Sequence, residues 1–323
     1  MSTGFGYQYP SFNKLSSSLP QSKSKDFIGH KDKVHTIDWS CDGRRLASGS
    51  VDKTARVWSV ERSVSDSIVL KGHEDAVYQL AWNPQNQDSL ATASVDKSVR
   101  VWDIKSGKSN TFKTDGENIN ICWSPEGKVL AVGDKNDRIS FIDTRGGSDS
   151  KGHTYIIKTL KNEIETNEIS WNYAGDLFFL TTGQGNVKIL EYPSLEEAYI
   201  LSAHTSNCSC ITFDPRGRYM ATGGADAMVS LWDLENLLCL QTYSRLDGPI
   251  RAISFSYDGE LIASCSEDCR IEISHVESGD PVHTIKTTSS LNSVAWHPSK
   301  YLLAYACDEK DKNTIGDIHV FGY

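Results

Sequence analysis

The sequence predicts an all-β chain of seven similar units, and three patterns lead to this prediction. A motif of two short strands joined by a small-residue turn returns roughly every 40–48 residues. Another strand pattern precedes each copy by about twenty residues. No stretch of ten or more residues has helical periodicity. Repeats of this length, each with four short strands, are typical of a β-propeller.

The seven units match the motif to different degrees. The strong copies are LASGSVDKTARVW, which ends at Trp58, LATASVDKSVRVWD around Trp102, and MATGGADAMVSLWD around Trp232. In the weaker copies another residue replaces the tryptophan, and these copies surround Ile142, Leu190, Ser274 and Phe321. The seven copies of the motif divide the chain almost evenly, so we expect seven blades.

Each unit opens with a strand that ends in apolar-x-Trp or apolar-x-Phe. These strands end at Trp39, Trp82, Trp123, Trp171, Phe213, Phe255 and Trp296. Short turns with glycine follow most of them, for example Cys41-Asp42-Gly43 and Tyr257-Asp258-Gly259. Such turns join the strands of a hairpin, so each blade should continue directly into its second strand.

The last unit ends two residues after Phe321, before a fourth strand. A candidate strand lies at the other end of the chain, near Lys25–Ile28. An open ring would leave unpaired backbone groups at a sheet edge, so we expect this N-terminal strand to join the last blade. The propeller should then span residues 25–323, and the Ser-rich, aperiodic residues 1–24 should form a disordered tail.

Composition narrows the setting of the protein. The net charge of −9 argues against strong direct binding of nucleic acid, which needs a basic surface. The N-terminal segment lacks the apolar core of a signal peptide, and no apolar stretch is long enough to span a membrane. The eight cysteines show no metal-ligand spacing, so we expect reduced thiols, no metal and no cofactor in a soluble intracellular protein. Cys208 and Cys210 should face the same way on one strand.

The strong units share a histidine, a hydroxyl residue, an aspartate and a tryptophan in the same order. The sets are His30, Ser48, Asp52 and Trp58; His73, Thr92, Asp96 and Trp102; and His204, Thr222, Asp226 and Trp232. One interpretation is a Ser-His-Asp catalytic triad. The other is a buried hydrogen-bond chain from indole to carboxylate, which suits a set repeated three times better than a single pre-organised nucleophile would. The sequence therefore predicts structural sets and no catalytic residue.

The pairs Gly29-His30 and Gly72-His73, with the ending Val101-Trp102-Asp103, resemble the WD40 repeat family over residues 26–323. The resemblance implies a rigid, non-enzymatic scaffold that binds proteins. The weaker repeats are closer still to the WD40 propellers of the THO complex in the TREX mRNA-export machinery. The words that carry this likeness are NINICW, NEISWN, AHTSNCSC, FSYDGELIASCSEDC and AWHPSKYLLAYACDEKD. It implies a nuclear protein that couples transcription to mRNA processing and export beside large helical subunits, contacts RNA only indirectly or weakly, and has no small-molecule substrate.

Residues that open the first strand of each blade should surround the narrow mouth of the propeller. Counting back from the strand-ending aromatics gives His35, Tyr78, Ile119, Asn167, Ser209, Arg251 and Asn292, with Lys33 beside them. A second set precedes the next turn and comprises Val51, Val95, Lys135, Gly183, Ala225 and Glu267. The mixture of aromatic, apolar and charged residues favours protein recognition, with His35, Tyr78 and Arg251 as the best candidates for partner binding. The alternative is that these are ordinary loop residues.

Three other functions remain open from the sequence. Ile142-Asp143-Thr144-Arg145 resembles the Asp-x-Arg ending of WD40 substrate receptors of cullin-type ubiquitin ligases, although only one copy occurs and its tryptophan is replaced. The chain could also be the scaffold of another nuclear complex. An enzyme is the third possibility, which no phosphate-binding loop, metal cluster or single acid–base pair supports.

Overall fold

Every regular element that the structure describes is a β-strand. The computed structural model describes residues 22–60, 67–145, 156–308 and 316–322, in which 28 strands form seven antiparallel sheets of four strands. The predicted all-β, seven-bladed propeller is therefore confirmed. The predicted disordered tail lies outside the described residues up to position 21, and β1 begins at Ser24, one residue before the predicted boundary.

The strands follow the blades in chain order, after one strand that precedes the first blade. That strand and blades 1 to 3 are β1 (Ser24–Phe27); β2 (Val34–Trp39), β3 (Arg45–Ser50), β4 (Thr54–Ser59), β5 (Ser67–Lys71); β6 (Val77–Trp82), β7 (Ser89–Ser94), β8 (Ser98–Asp103), β9 (Lys108–Lys113); β10 (Asn118–Trp123), β11 (Val129–Asp134), β12 (Arg138–Asp143) and β13 (Ile156–Lys161).

Blades 4 to 6 repeat this order, and blade 7 takes its fourth strand from the start of the chain. The strands are β14 (Thr166–Trp171), β15 (Leu177–Thr182), β16 (Asn186–Glu191), β17 (Glu197–Ser202); β18 (Cys208–Phe213), β19 (Tyr219–Gly224), β20 (Val229–Asp233), β21 (Leu238–Tyr243); β22 (Ile250–Phe255), β23 (Leu261–Ser266), β24 (Arg270–His275), β25 (Pro281–Lys286); and β26 (Leu291–Trp296), β27 (Leu303–Cys307) and β28 (Ile318–Phe321).

The hydrophobic core lies between the blades and not within them. Seven clusters of buried side chains each join one blade to the next. Between blades 1 and 2, for example, Ala47 and Leu70 pack with Trp82 and Leu90. The second strands sit inside this packing, which is why they use small residues such as Ala47 at 0% exposure. No blade has a complete core of its own, so each depends on both neighbours.

The ring closes through β1, as the sequence predicts. β1 pairs antiparallel with β28, with Ser24 opposite Phe321 and Phe27 opposite Ile318. Phe27 is 1% exposed and belongs to the cluster between blades 7 and 1, where its ring meets that of Trp58 edge-on at 5.9 Å. The strand therefore completes the sheet of blade 7 and also packs against blade 1.

Hydrogen bonds from first-strand tryptophans support the same arrangement. Trp82 Nε1 donates to the carbonyl of Asp38 in blade 1 at 3.1 Å, and Trp39 Nε1 donates to the carbonyl of Ala295 in blade 7 at 3.1 Å. At the closing junction His297 Nε2 also donates to the carbonyl of Gly43 at 2.9 Å. Gly43 has a φ of +70°, and a Cβ there would clash with the His297 ring. Both the backbone conformation and the close contact therefore require glycine at this position. The junction between the last and first blades is thus built like those between blades 1 and 2 and between blades 2 and 3, where Trp123 Nε1 donates to the carbonyl of Ala81.

A chain that begins at Ile28 should be much less stable than one that begins at Ser22, because it lacks β1. It loses the pairing with β28 and the burial of Phe27, which together should lower the free energy of unfolding by at least about 3 kcal/mol. Differential scanning calorimetry of both chains measures this difference. The chain that begins at Ser22 is the matched control, since it keeps every residue of β1. Equal melting temperatures for the two chains would contradict closure by this strand.

Candidate partner-binding site

Three blades contain a buried chain of four side chains that runs from tryptophan to aspartate. In blade 1, Trp58 Nε1 donates to Ser48 Oγ at 2.9 Å, His30 Nε2 lies 2.7 Å from the same oxygen, and His30 Nδ1 lies 2.9 Å from Asp52 Oδ2. Corresponding contacts of 2.7–3.2 Å join the predicted sets of blades 2 and 5. Those sets are Trp102, Thr92, His73 and Asp96, and Trp232, Thr222, His204 and Asp226.

The direction of donation along the blade 1 chain follows from its ends. The ionised Asp52 carboxylate only accepts, so His30 donates from Nδ1 and its neutral Nε2 accepts from the Ser48 hydroxyl. Burial lowers the pKa of His30, which keeps the ring neutral. Burial also works to raise the pKa of Asp52, but hydrogen bonds from His30, Thr54 and the Lys31 N–H outweigh it and hold that pKa below its ordinary value.

The same contacts resemble a catalytic triad, yet their position argues for a structural role. Ser48, Thr92 and Thr222 are each 0% exposed. Each hydroxyl oxygen already accepts the indole N–H of a tryptophan, so no face is open to a substrate. We therefore infer that the three chains tie the loop before each blade to its second and third strands.

The predicted mouth residues come together around one cavity at the entrance of the central channel. The cavity has a volume of about 420 Å³, and it is lined by one or more residues from every blade. Its lining includes all seven residues obtained by counting, namely His35, Tyr78, Ile119, Asn167, Ser209, Arg251 and Asn292. Lys33 lies beside it and pairs with the lining residue Asp308, with Nζ 2.7 Å from Oδ2.

The second predicted set lies next to the first because the backbone joins them. The N–H of each member donates to the carbonyl of a residue just before the first strand of its own blade, as Val51 does to Lys33 at 3.0 Å and Glu267 to Pro249 at 3.2 Å. Glu267 lines the channel cavity, and Lys135 and Ala225 line a neighbouring groove of about 630 Å³. Neither lining includes Val51, Val95 or Gly183.

The mouth residues divide into a structural group and an accessible group. Asn167, Ser209 and Asn292 donate to backbone carbonyls of the following blade, at 3.0, 2.5 and 3.3 Å respectively, which holds the ring together. His35 instead stacks on Tyr78 with ring centroids 4.8 Å apart, and Tyr78 is 40% exposed. Arg251 is exposed and forms an ion pair with Glu267. The aromatic stack and the arginine are therefore the side chains that a partner can reach.

Sequence reasoning missed a second layer of residues one step deeper in the channel. Gln79 Nε2 in blade 2 donates to both oxygens of Glu168 in blade 4, at 3.1 and 3.0 Å, and so reaches past blade 3. Gln79 Oε1 accepts the N–H of Ile121. Burial raises the pKa of Glu168 to about 7. Gln79, a polar residue within the mostly apolar strand VYQLAW, is the sequence signal that could have revealed this layer.

The structure overturns the expectation for Cys208 and Cys210. Cys208 pairs with Gly224 and Cys210 with Gly223, so Ser209 is the extra residue of a β-bulge. Adjacent residues of β19 face opposite sides, and the two thiols accordingly pack in different clusters, between blades 4 and 5 and between blades 5 and 6. The prediction that they face the same way is wrong. No group of three His, Cys, Asp or Glu residues suited to a metal occurs in the described part of the chain.

The described residues include no helix that is long and apolar enough to cross a membrane.

Comparisons with known proteins agree with the propeller and extend beyond it. A family profile described as the THOC3 beta-propeller domain matches residues 30–306. The chain is 48% identical over 302 residues to THO complex subunit 3 of Arabidopsis thaliana, covering 92% of this chain and 94% of the relative. It is 34% identical to WD repeat-containing protein AAC3 of Dictyostelium discoideum, over 98% of this chain and 71% of the relative. Protein TEX1 of Saccharomyces cerevisiae is 23% identical over 78% of this chain and 63% of its own length.

Ser48→Ala should destabilise the protein strongly, because it leaves both Trp58 Nε1 and His30 Nε2 without a partner. Two unsatisfied buried groups should lower the free energy of unfolding by about 2–5 kcal/mol. Ser264→Ala is the matched control, since Ser264 occupies the same place in blade 6, where Ser274 replaces the tryptophan, and its loss should cost less than about 1 kcal/mol. Urea unfolding of both variants measures the difference. A Ser48 variant no less stable than the control would contradict the structural role.

Proposed function

Because the chain belongs to the THOC3 β-propeller family, we propose that it is a non-enzymatic scaffold subunit of a THO complex. In this role the propeller holds other subunits together through protein–protein contacts and so couples transcription to mRNA processing and export. Its partners are the larger helical subunits of the THO and TREX assemblies. Its place of action is the nucleus.

The observation that carries this proposal is the extent of the family match. The profile covers residues 30–306, from the first blade into the last, and the 48% identity to a THO complex subunit spans nearly all of both chains. The match therefore includes the weaker repeats of blades 3, 4, 6 and 7 and is not limited to the Trp-Asp endings common to many propellers. A likeness over the whole ring supports the same kind of assembly and not only the same fold.

The chemistry of the mouth supports a protein partner. An aromatic stack, an apolar residue at Ile119 and an arginine–glutamate pair surround one concave entrance. Aromatic residues and arginine are the usual anchors of protein interfaces. The net charge of −9 opposes a phosphate track, so contact with RNA is indirect or weak. The arrangement needs no cofactor and no small-molecule substrate.

Partner contact is proposed to centre on His35, Tyr78 and Arg251. Asn167 and Asn292 frame the same entrance while they hold neighbouring blades, and Lys33 adds a charge at its rim. The neighbouring groove continues this surface across blades 2 to 6. A partner seated here would contact several blades at once, which fits a rigid scaffold.

Nothing in the geometry favours a ligase receptor over this function. Arg145, on which that alternative depends, donates from Nε to Asp143 Oδ1 at 2.9 Å at the end of β12. The pair lies in one blade, away from the channel lining. A receptor would be recognised by recovery of ligase adaptor subunits in place of THO subunits.

Alanine at His35, Tyr78 and Arg251 together should weaken assembly with THO subunits by at least tenfold, because it removes the accessible anchors of the mouth. Quantitative mass spectrometry of complexes purified at near-endogenous level measures recovery. Tyr173→Ala with Arg44→Ala is the matched control, since both residues are exposed in turns between first and second strands, at the other end of the blades.

Three results are possible, and they lead to different conclusions. If THO subunits are lost from the triple variant but not from the control variant, the result supports both membership of a THO complex and contact through the mouth. Unchanged assembly places the contact elsewhere, with the exposed Tyr199, Ile200 and Leu238 of the outer strands as the next surface to test. Recovery of no THO subunit by the unaltered protein would contradict the proposed function itself.

A further inference from the structure

The third residues of the seven first strands form one ring around the channel, just below the mouth. They are Thr36, Gln79, Asn120, Glu168, Cys210, Ala252 and Ser293, and all of them line the channel cavity. We call this set the channel ring. Glu168 is its one charged member. Each strand advances about 3.3 Å per residue, so Glu168 lies one short step below Asn167 at the mouth.

The Glu168 carboxylate is not fully paired. Gln79 Nε2 donates to both oxygens, and the Ile169 N–H donates to Oε1 at 3.1 Å. A carboxylate offers about four acceptor positions, so one position on Oε2 stays open. Among the residues that the structure describes, no lysine, arginine or histidine nitrogen lies within 4.0 Å of Glu168.

A second acceptor of the channel ring is also unused. Asn120 is 5% exposed and donates from Nδ2 to the carbonyl of Asn167 at 2.7 Å. Its Oδ1 accepts no hydrogen bond from any described residue. That oxygen has no appreciable accessible surface, so Glu168 in the next blade is the acceptor of the ring that a ligand in the cavity reaches. A ligand that brings a hydrogen-bond donor fills the open position on Glu168 Oε2.

The charges at the rim leave the channel negative. Arg251 pairs with Glu267, and Lys33 pairs with Asp308, so each rim pair is neutral as a whole. Glu168 has no such counter-charge among the described residues, so it gives the cavity an uncompensated carboxylate. A half-buried carboxylate without a neighbouring cation gains from a cation that brings its own hydrogen-bond donors.

We propose that the channel is a receptor for one cationic side chain of a partner polypeptide, which enters at the mouth and pairs with Glu168. This inference rests on the proposed scaffold function and names the chemical feature that the partner presents. The guanidinium of arginine fits best, because it is always charged and its planar fork of N–H donors matches the geometry of a carboxylate. The backbone around that side chain lies against His35, Tyr78 and Ile119 at the rim.

A peptide pair tests the inference on the complete protein. The probe is acetyl-Gly-Ser-Arg-Ser-Gly-amide, and its control carries citrulline, which is similar in shape but uncharged, in place of arginine. Nuclear magnetic resonance titration measures both affinities. The arginine peptide should bind at least tenfold more tightly than the citrulline peptide. Equal affinity of the two peptides, or no binding of either, would overturn the inference.

Two variants locate the effect. Glu168→Gln keeps the size of the side chain and removes its charge, so it should abolish the preference for arginine over citrulline. Glu163→Gln is the control, because Glu163 is exposed in the loop before the same strand. The preference of this variant for the arginine peptide should stay within twofold of that of the unaltered protein. Preference retained by the Glu168 variant, with an unchanged melting temperature, would also overturn the inference.

The dependence on pH gives an independent signature. Burial raises the pKa of Glu168 to about 7, so the affinity for the arginine peptide should fall as the pH drops from 8 to 6, toward a tenfold loss per unit below 7. The titratable or charged groups that face Glu168 or share its cavity are His35, Tyr78, Cys122, Cys210, Arg251, Glu267 and Asp308, and Lys33 lies beside the cavity. Burial lowers the pKa of His35, so His35 takes up a proton at a lower pH than an exposed imidazole does. A fall in affinity that persists in Glu168→Gln would assign the effect to His35 and contradict our inference.

Failure of this inference is separable from failure of the proposed function. If THO subunits are lost with the triple mouth variant while both peptides bind equally, the scaffold role stands and the cation receptor does not. If the arginine preference depends on Glu168 while assembly is indifferent to the mouth, the receptor stands and the proposed contact face is wrong.

Discussion

The closure of the ring by β1 is the constraint on which the rest of the structure depends. Every hydrophobic cluster lies between two blades, so a blade without a neighbour exposes half of its core. Three sets of contacts hold the closing junction. They are the pairing of β1 with β28, the hydrogen bond from Trp39 to Ala295, and the hydrogen bond from His297 to Gly43. These contacts join opposite ends of the chain. Folding of the seven units is therefore expected to be a single cooperative event, and not a sequence of independent ones.

The mouth is a product of this closure. His35 and Asn292 belong to the first and last blades, yet they line one cavity because Asn292 donates to the Val34 carbonyl across the junction. No single blade contains the site, since each contributes one or a few residues to the entrance. The buried tryptophan-to-aspartate chains keep the loops near that entrance in place in blades 1, 2 and 5. A rigid frame of this kind orders binding residues before a partner arrives, which lowers the entropic cost of association.

Much of this arrangement is readable from the sequence because a repeat fixes position by counting. The aromatic ends of the first strands predicted the mouth residues, and the order His, Ser or Thr, Asp, Trp predicted which side chains meet. Two features escaped this reasoning for physical reasons. The contact between Gln79 and Glu168 skips a blade, and no comparison of neighbouring repeats can reveal it. The bulge at Ser209 changes the face of Cys210, and strict alternation along a strand assumes that no such bulge occurs.

Hydrogen exchange of the native protein, followed by mass spectrometry of its peptides, tests the central claim most directly. If β1 locks the ring, the amides of β28 exchange with the same free energy of opening as those of β2 and β14, because all of them open only when the whole ring unfolds. Exchange of Ile318–Phe321 through a local opening, several kcal/mol easier than exchange of the other blades, would contradict the account.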